Sequence, residues 1–156
     1  VCRTPSINNL VVNPGFETNL GGWGGVLPSG EPNWVSDDAD SCPESGSVHG
    51  NNTHENTNFS PGQCIQVAAG HTYYFGALFK APTDLQTLSM IYYSDPACQT
   101  NVGNGPYIQI SAAPINWSPL TGTVTPPAGV QSVLLFAGIY EGKMDQIYFN
   151  GVSASY

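Results

Sequence analysis

The chain has 156 residues, with 18 glycines, 13 prolines, 11% aromatic and only 9% charged residues. Disordered chains are charge-rich and aromatic-poor, so this composition excludes wholesale disorder and favours short aromatic-rich strands between many turns. A formal net charge of −8, with Arg3, Lys80 and Lys143 as the only Lys or Arg, excludes a basic face for nucleic acid or an anionic membrane and leaves neutral sugars and cations as partners.

No segment sustains a helical period; apolar residues come in short alternating runs broken by Gly, Pro, Asn and Asp. Residues 10–12 predict a first strand, stopped by Asn13-Pro14-Gly15. Residues 24–62 are loop-rich, holding Pro28, Pro32, Pro43 and Pro61, with short strands predicted near 34–35 and 47–49. A loop region this long has a function or lies over the core. Further strands are predicted at 64–67, 72–80, 88–93, 107–110, 133–139 and 146–156, with turns at Gly70-His71 and 126–129. No run approaches the roughly 18 to 20 apolar residues of a membrane span. No signal peptide pattern is present, so the expectation is either a processed chain or a sequence that omits one. With no internal repeat and no linker-like shift, residues 1–156 predict a single all-β domain, a sandwich or jelly roll.

Alternation assigns faces. Tyr73, Phe75, Ala77 and Phe79 are predicted in the core, with Tyr74, Gly76, Leu78 and Lys80 opposite. Val133, Leu135, Ala137 and Ile139 fit the core, which turns Leu134, Phe136, Gly138 and Tyr140 outward. The same reading puts Ser89, Ile91 and Tyr93 outside. Three strands would therefore present aromatic and apolar groups on a wet face. Either a loop covers that face, or the registers are off by one residue, or the face lines a ligand cleft.

Cys2, Cys42, Cys64 and Cys98 form no CxxC pair and have no histidine at zinc spacing, so two disulfides in an exported protein fit better than a zinc site. Four cysteines allow three pairings and the sequence does not choose among them; Cys64–Cys98 with Cys2–Cys42 is the preferred expectation. His49, His54 and His71 have no serine or cysteine partner in a recognisable arrangement. His49, His54 and Glu55 read as loop polarity rather than zinc ligands, and triplets at Asn51 and Asn116 match a glycosylation sequon. Asp37, Asp38 and Asp40, with Glu44 nearby, lack the glycine and distal glutamate of an EF-hand loop and read as a solvated loop. A glycosidase needs two carboxylates about 5 to 10 Å apart. No strand places two acids on the outward face, and Glu31, Glu44 and Glu55 fall in loops, so no enzyme is expected.

Asn13-Pro14-Gly15-Phe16-Glu17 after a short strand, followed by Gly22-Trp23, resembles the opening of carbohydrate-binding modules of families 4, 9 and 22. More of that pattern follows in order: Ser45-Gly46-Ser47-Val48, Gln63 to Val67, Ala69-Gly70-His71-Thr72-Tyr73, Trp117 through Gly122 to Pro126, and Asp145-Gln146-Ile147-Tyr148. The match spans nearly the whole chain. Gln146 departs from it, standing where the family often has a second Asp, and no obvious pair of cleft tryptophans is present.

The resemblance implies a galactose-binding-domain-like jelly roll with a structural calcium between the first turn and the last strand. Its ligands would be the Glu17 and Asp145 side chains, with backbone carbonyls near Glu17, at Gly46-Ser47 and at Asp145. Calcium takes about six to eight oxygens, which suits this set. Sugar sites combine aromatic platforms with a few directed polar groups. Trp23 and Trp117 fall on scaffold positions, leaving Trp34, Tyr93, Phe136 and Tyr140 as stacking candidates and Tyr74, Gln109 and Glu141 as hydrogen-bonding ones. The implied function is a non-catalytic module, monomeric and part of a larger secreted polysaccharide-active protein. The alternatives are a structural or adhesive β-sandwich of a bacterial surface protein and a small jelly-roll hydrolase or lyase. Exposed Phe136 and Tyr140 in a groove favour glycan; a covered face favours a spacer.

Overall fold

The computed structural model describes residues 2–24, 32–43, 45–50, 61–82, 86–110 and 114–156. Pro28, Glu31, Glu44, His54, Glu55 and the Asn51 sequon lie outside the described residues. Among those described there are nine strands: β1 Asn33–Val35, β2 Ser47–Gly50, β3 Gly62–Gln66, β4 Tyr73–Lys80, β5 Gln86–Tyr93, β6 Asn101–Ile110, β7 Ser118–Val124, β8 Ser132–Gly138 and β9 Gly142–Asn150. None of the described residues is helical, so no helix is long and apolar enough to cross a membrane.

The strands form two antiparallel sheets, one ordered β1-β2-β9-β4-β7 and the other β3-β8-β5-β6. The core lies between them. Phe75 and Phe79 of β4, with Met144, Ile147 and Phe149 of β9, meet Leu88 and Met90 of β5 and Val133 and Leu135 of β8. All of the core positions expected on β4 and β8 are buried. Both disulfides form as Cys2–Cys42 and Cys64–Cys98.

Residues 10–12 do not form the expected strand. Asn9 makes an isolated bridge to Asn150, and from there side chains replace the ladder. Asn9 Nδ2 donates to Ile147 O, Phe149 N–H donates to Asn9 Oδ1, and Val12 N–H donates to Gln63 Oε1 at 2.7 Å. The last strand runs over Gly142–Asn150 rather than 146–156. Residues 151–156 turn away because Asn150 Oδ1 takes the N–H groups of Val152 and Ser153. Strand β6 begins at Asn101, earlier than expected. Strand β7 is absent from the strands that alternation predicts and falls within the Trp117 to Pro126 stretch of the resemblance. Its Gly- and Thr-rich stretch has no alternating apolar signal, and β4 defines it by pairing along its whole length.

One irregularity positions a side chain. Leu78 pairs with Asp145 and Gly76 with Tyr148, so Ala77 of β4 faces both Gln146 and Ile147 of β9. That is a β-bulge, and the extra residue, Gln146, has φ 49°. Bulges shift the alternation of a strand. Met144, Ile147 and Phe149 thereby all reach the core, while Asp145 and Gln146, adjacent in sequence, line the same cavity.

Candidate functional site

The first site begins at the opening turn. Asn13 and Phe16 both have positive φ, at 51° and 48°. A bulky residue there is a backbone outlier held by its surroundings. Phe16 is fully buried against Trp23, ring centroids 5.4 Å apart, and its carbonyl accepts the Trp34 indole N–H at 2.7 Å. The turn aims Glu17 into a cavity of about 170 Å³ that Asp38, Asp40, Asp145, Gln146 and Tyr156 also line. Gly15 closes it tightly: a Cβ there would collide with the Tyr156 hydroxyl and lie 3.2 Å from Glu17 Oε1.

Glu17 and Asp145 therefore line one cavity. The loop carrying Asp38 and Asp40 is not merely solvated: it folds onto the same cavity, and Asp38 is buried. Asp37 anchors it, its Oδ2 accepting from Lys143 at 2.6 Å and Lys80 at 3.1 Å. Burial pushes the Asp37 carboxyl up, but these two ammonium groups outweigh it and hold the group below the usual carboxylate range. Asp145 lies deeper, 2% exposed. Burial raises its carboxyl to about 7, opposed by N–H donors from Ala39 and Gln146 and reinforced by Asp38 and Asp40. Burial also raises the Tyr156 phenol, with Asp145, Glu17 and Asp40 adding to it. Ser47 is not in this lining; its buried hydroxyl donates to Asp37 O at 2.6 Å, and Ser45 lines the cavity instead. Among the described residues no three Asp, Glu, His or Cys side chains already stand at metal-ligating spacing.

The second site is the outer face of the four-stranded sheet. Register brings its outward residues into rows across the strands. Gly62, Phe136, Ser89 and Tyr107 form one row, and Gly138, Thr87 and Gln109 the next. No residue of β3, β5, β6 or β8 is charged. Tyr107 is 64% exposed and its hydroxyl donates to Gln109 Oε1 at 3.1 Å. Tyr140 folds back over Gly138, where a Cβ would run into Thr87 Oγ1 and lie 3.1 Å from Tyr140 Cε2. Gln86 fixes its main chain by donating to Tyr140 O and accepting from Tyr140 N–H. Burial raises the Tyr140 phenol, and nearby Tyr107 adds to it. Phe136 and Tyr140 are half-buried. Phe136 and Tyr107 stand two strands apart, about 10 Å, over a floor of small Ser89 and Thr87.

Residues 94–100 wall one side of this face. Ser132 Oγ accepts the Cys98 N–H at 3.2 Å, Gln131 Nε2 donates to Ser94 O at 2.7 Å, and the Cys64–Cys98 bridge ties the loop to β3. The Asp95 carboxylate shapes the loop by accepting N–H groups from Thr100, Ala97 and Gln99, which lower its carboxyl.

Several expected positions fall elsewhere. Tyr74 lies on β4, in the other sheet, so it shares no face with Phe136 or Tyr140. Trp34 is no platform: it pairs with Val48, packs partly buried on the core and covers Gly46 so closely that a Cβ there would lie 2.5 Å from Cε2. Ser89 and Ile91 do face outward but are buried, flanked by β8 and β6. Tyr93 pairs with Ser132 at the walled end and is half-buried. Gln109 is exposed on the face, and Glu141 lies just past Gly138. Tyr107 was missed, though the alternation that selects Gln109 selects it too.

No protein-family model matches this chain, and no curated protein matches it. Solved structures do. A Clostridium thermocellum endo-1,4-beta-D-xylanase 10B containing CBM22-1 and GH10 modules, complexed with xylohexaose, aligns at 14% identity and TM-score 0.59 over 96% of this chain, which spans 30% of that longer one. The CBM22-1 xylan-binding domain of Paenibacillus barcinonensis Xyn10C aligns at 16% identity and TM-score 0.61, covering 90% of this chain and 92% of that one. A family 16 carbohydrate-binding module aligns at 19% identity and TM-score 0.57, covering 90% and 99%. The fold is the β-sandwich of these carbohydrate-binding modules.

Proposed function

We propose that this chain is a non-catalytic carbohydrate-binding module that takes a neutral oligo- or polysaccharide on the outer face of its four-stranded sheet. The observation that carries this reading is the row of Phe136, Ser89 and Tyr107, beside Gln109 and Tyr140, on a sheet whose strands hold no charged residue. Aromatic rings offer faces for sugar C–H groups, while amide and hydroxyl groups direct the sugar hydroxyls. Solved structures sharing the fold include xylan-binding domains, which supports the ligand class. Among the described residues, Asp95 and Glu141 flank opposite ends of the strands, about 20 Å apart by strand rise, well beyond the spacing glycosidases need. The module would act by proximity, holding a secreted polysaccharide-active partner domain on its polymer and raising its effective concentration.

The same reading gives the acidic cavity a structural calcium, with Glu17 and Asp145 as side-chain ligands and Asp38 and Asp40 beside them. The donors fit a hard cation, being carboxylates without imidazole or thiolate. Asp145 accepts N–H groups from Ala39 and Gln146, and Asp38 accepts one from Cys42, so these carboxylates are held at the cavity.

Affinity electrophoresis on a panel of soluble neutral glycans, followed by calorimetry on the best one, tests the binding face. Phe136→Ala and Tyr107→Ala should each weaken binding by about tenfold, in line with the loss of a stacking anchor, while Trp34→Ala leaves it unchanged. Retention by no glycan would overturn the proposal and favour a spacer or adhesive domain.

A further inference from the structure

The chain's single arginine stands at the mouth of the acidic cavity. Arg3 lines it together with Glu17, Asp38, Asp40, Asp145 and Gln146. Its main-chain N–H donates to Asp40 Oδ2 at 2.8 Å, its Nε lies 3.7 Å from Asp40 Oδ1, and its Nη1 donates to Gln146 Oε1 at 3.5 Å. The neighbouring Cys2–Cys42 bridge ties this segment to the loop that carries Asp40. In a chain of net charge −8, the only guanidinium is thus tethered to Asp40 at this cavity.

We propose that Arg3 is an internal counter-cation: it holds Asp40 and competes with calcium for that carboxylate, which lowers the affinity of the site severalfold. This rests on the calcium reading above. The main-chain bond from Arg3 fixes Asp40 in place, whereas the guanidinium is a removable partner. Its side chain is 65% exposed, against 15% for Asp40. An ion pair with one partner that exposed is weak, so displacing it costs little. The guanidinium can move into solvent while the disulfide and the main-chain bond keep the loop positioned. When it stays, its charge repels an incoming cation; when calcium arrives, Asp40 changes partner.

Calorimetric titration of calcium chloride into the chelator-stripped protein and its variants tests this. Arg3→Gln should bind calcium about threefold to tenfold more tightly, the size expected for removing one partly screened charge. Arg3→Lys should stay near the parent, and the gap should narrow at high salt. Without metal, Arg3→Gln should melt below the parent, and with saturating calcium the deficit should vanish. Equal affinities for parent and Arg3→Gln would overturn the role of Arg3 while leaving the calcium site standing. An equal gain in Lys80→Gln, whose ammonium pairs with Asp37, would also overturn it by reducing the effect to net charge. Absence of calcium binding in the parent and every variant would remove the calcium reading and this inference together.

Discussion

Asp145 shows how one residue couples the cavity to solution conditions. It is 2% exposed, and burial, with Asp38 and Asp40 nearby, raises its carboxyl to about 7 from 3.8. The folded state therefore binds this proton more tightly than the unfolded chain. Between about pH 4 and pH 7 the unfolded chain has already released the proton, so this group's contribution to stability falls as pH rises. In chelator, the melting temperature of the parent relative to Asp145→Asn should decline from pH 4 to pH 8. A difference that stays flat would sink the burial argument. Added calcium at pH 8 should recover the parent and leave Asp145→Asn behind. Asp37 runs the other way: its carboxyl is lowered, so its pairing with Lys80 and Lys143 is lost as pH falls through its folded value. The asparagine variant isolates Asp145 from that opposing trend.

Strand patterning in the sequence was a good guide where alternation was strong and a poor one where side chains replaced the ladder. The apolar alternation of β4 and β8 assigned their core faces correctly. Sheet membership is another matter: alternation says which residues share a strand face, not which strands pair, so Tyr74 and Phe136 seemed to share a surface that they do not. The extra residue at Gln146 is equally silent in sequence, because a bulge is defined by the partner strand. The Asp38 and Asp40 loop looked solvated because Asp37, which pins it, meets lysines distant in sequence. The disulfide that fastens residues 94–100 to β3 gives a test at this scale. It closes a separation of 34 residues. Chain-entropy reasoning then assigns it about 3 to 4 kcal/mol. The paired Cys64→Ser, Cys98→Ser variant should lose that much in denaturant unfolding. Hydrogen exchange should locate the new mobility at the attachment to Ser132, while the Ala97, Gln99 and Thr100 amides remain slowed by Asp95. Fast exchange at those amides would mean that the bridge, rather than the carboxylate, shapes the loop.

At the scale of the molecule, both ends of the chain converge on the acidic cavity. Ser6 N–H donates to Tyr156 O at 2.7 Å, Ile147 N–H donates to Pro14 O at 3.0 Å, and Tyr156 and Glu17 both line the cavity with Asp145 of the last strand. The proposed glycan face lies on the other sheet, none of its residues is in the cavity lining, and the cavity would influence binding there through the stability of the whole sandwich. A cation bound there would join the opening turn, the 38–40 loop and β9 at once, contacts that no unfolded chain retains. Binding only the folded state stabilises it by an amount set by mass action, about 2.7 kcal/mol at a free concentration one hundred times the dissociation constant. For a domain of this size, each kcal/mol moves the melting temperature by about 2 to 4 °C. Saturating calcium should therefore raise the melting temperature by about 5 to 10 °C over the chelated protein. Magnesium should do less, because it holds its water and demands a stricter octahedron. Glu17→Ala should melt at the same temperature with calcium or with chelator, since the loss of a ligand lowers site affinity and the stability linked to it. If calcium and chelator gave the parent identical melting curves, the convergence of the two chain ends would have to be held by Arg3, Tyr156 and the Cys2–Cys42 bridge alone. Calcium would then have no part in the fold.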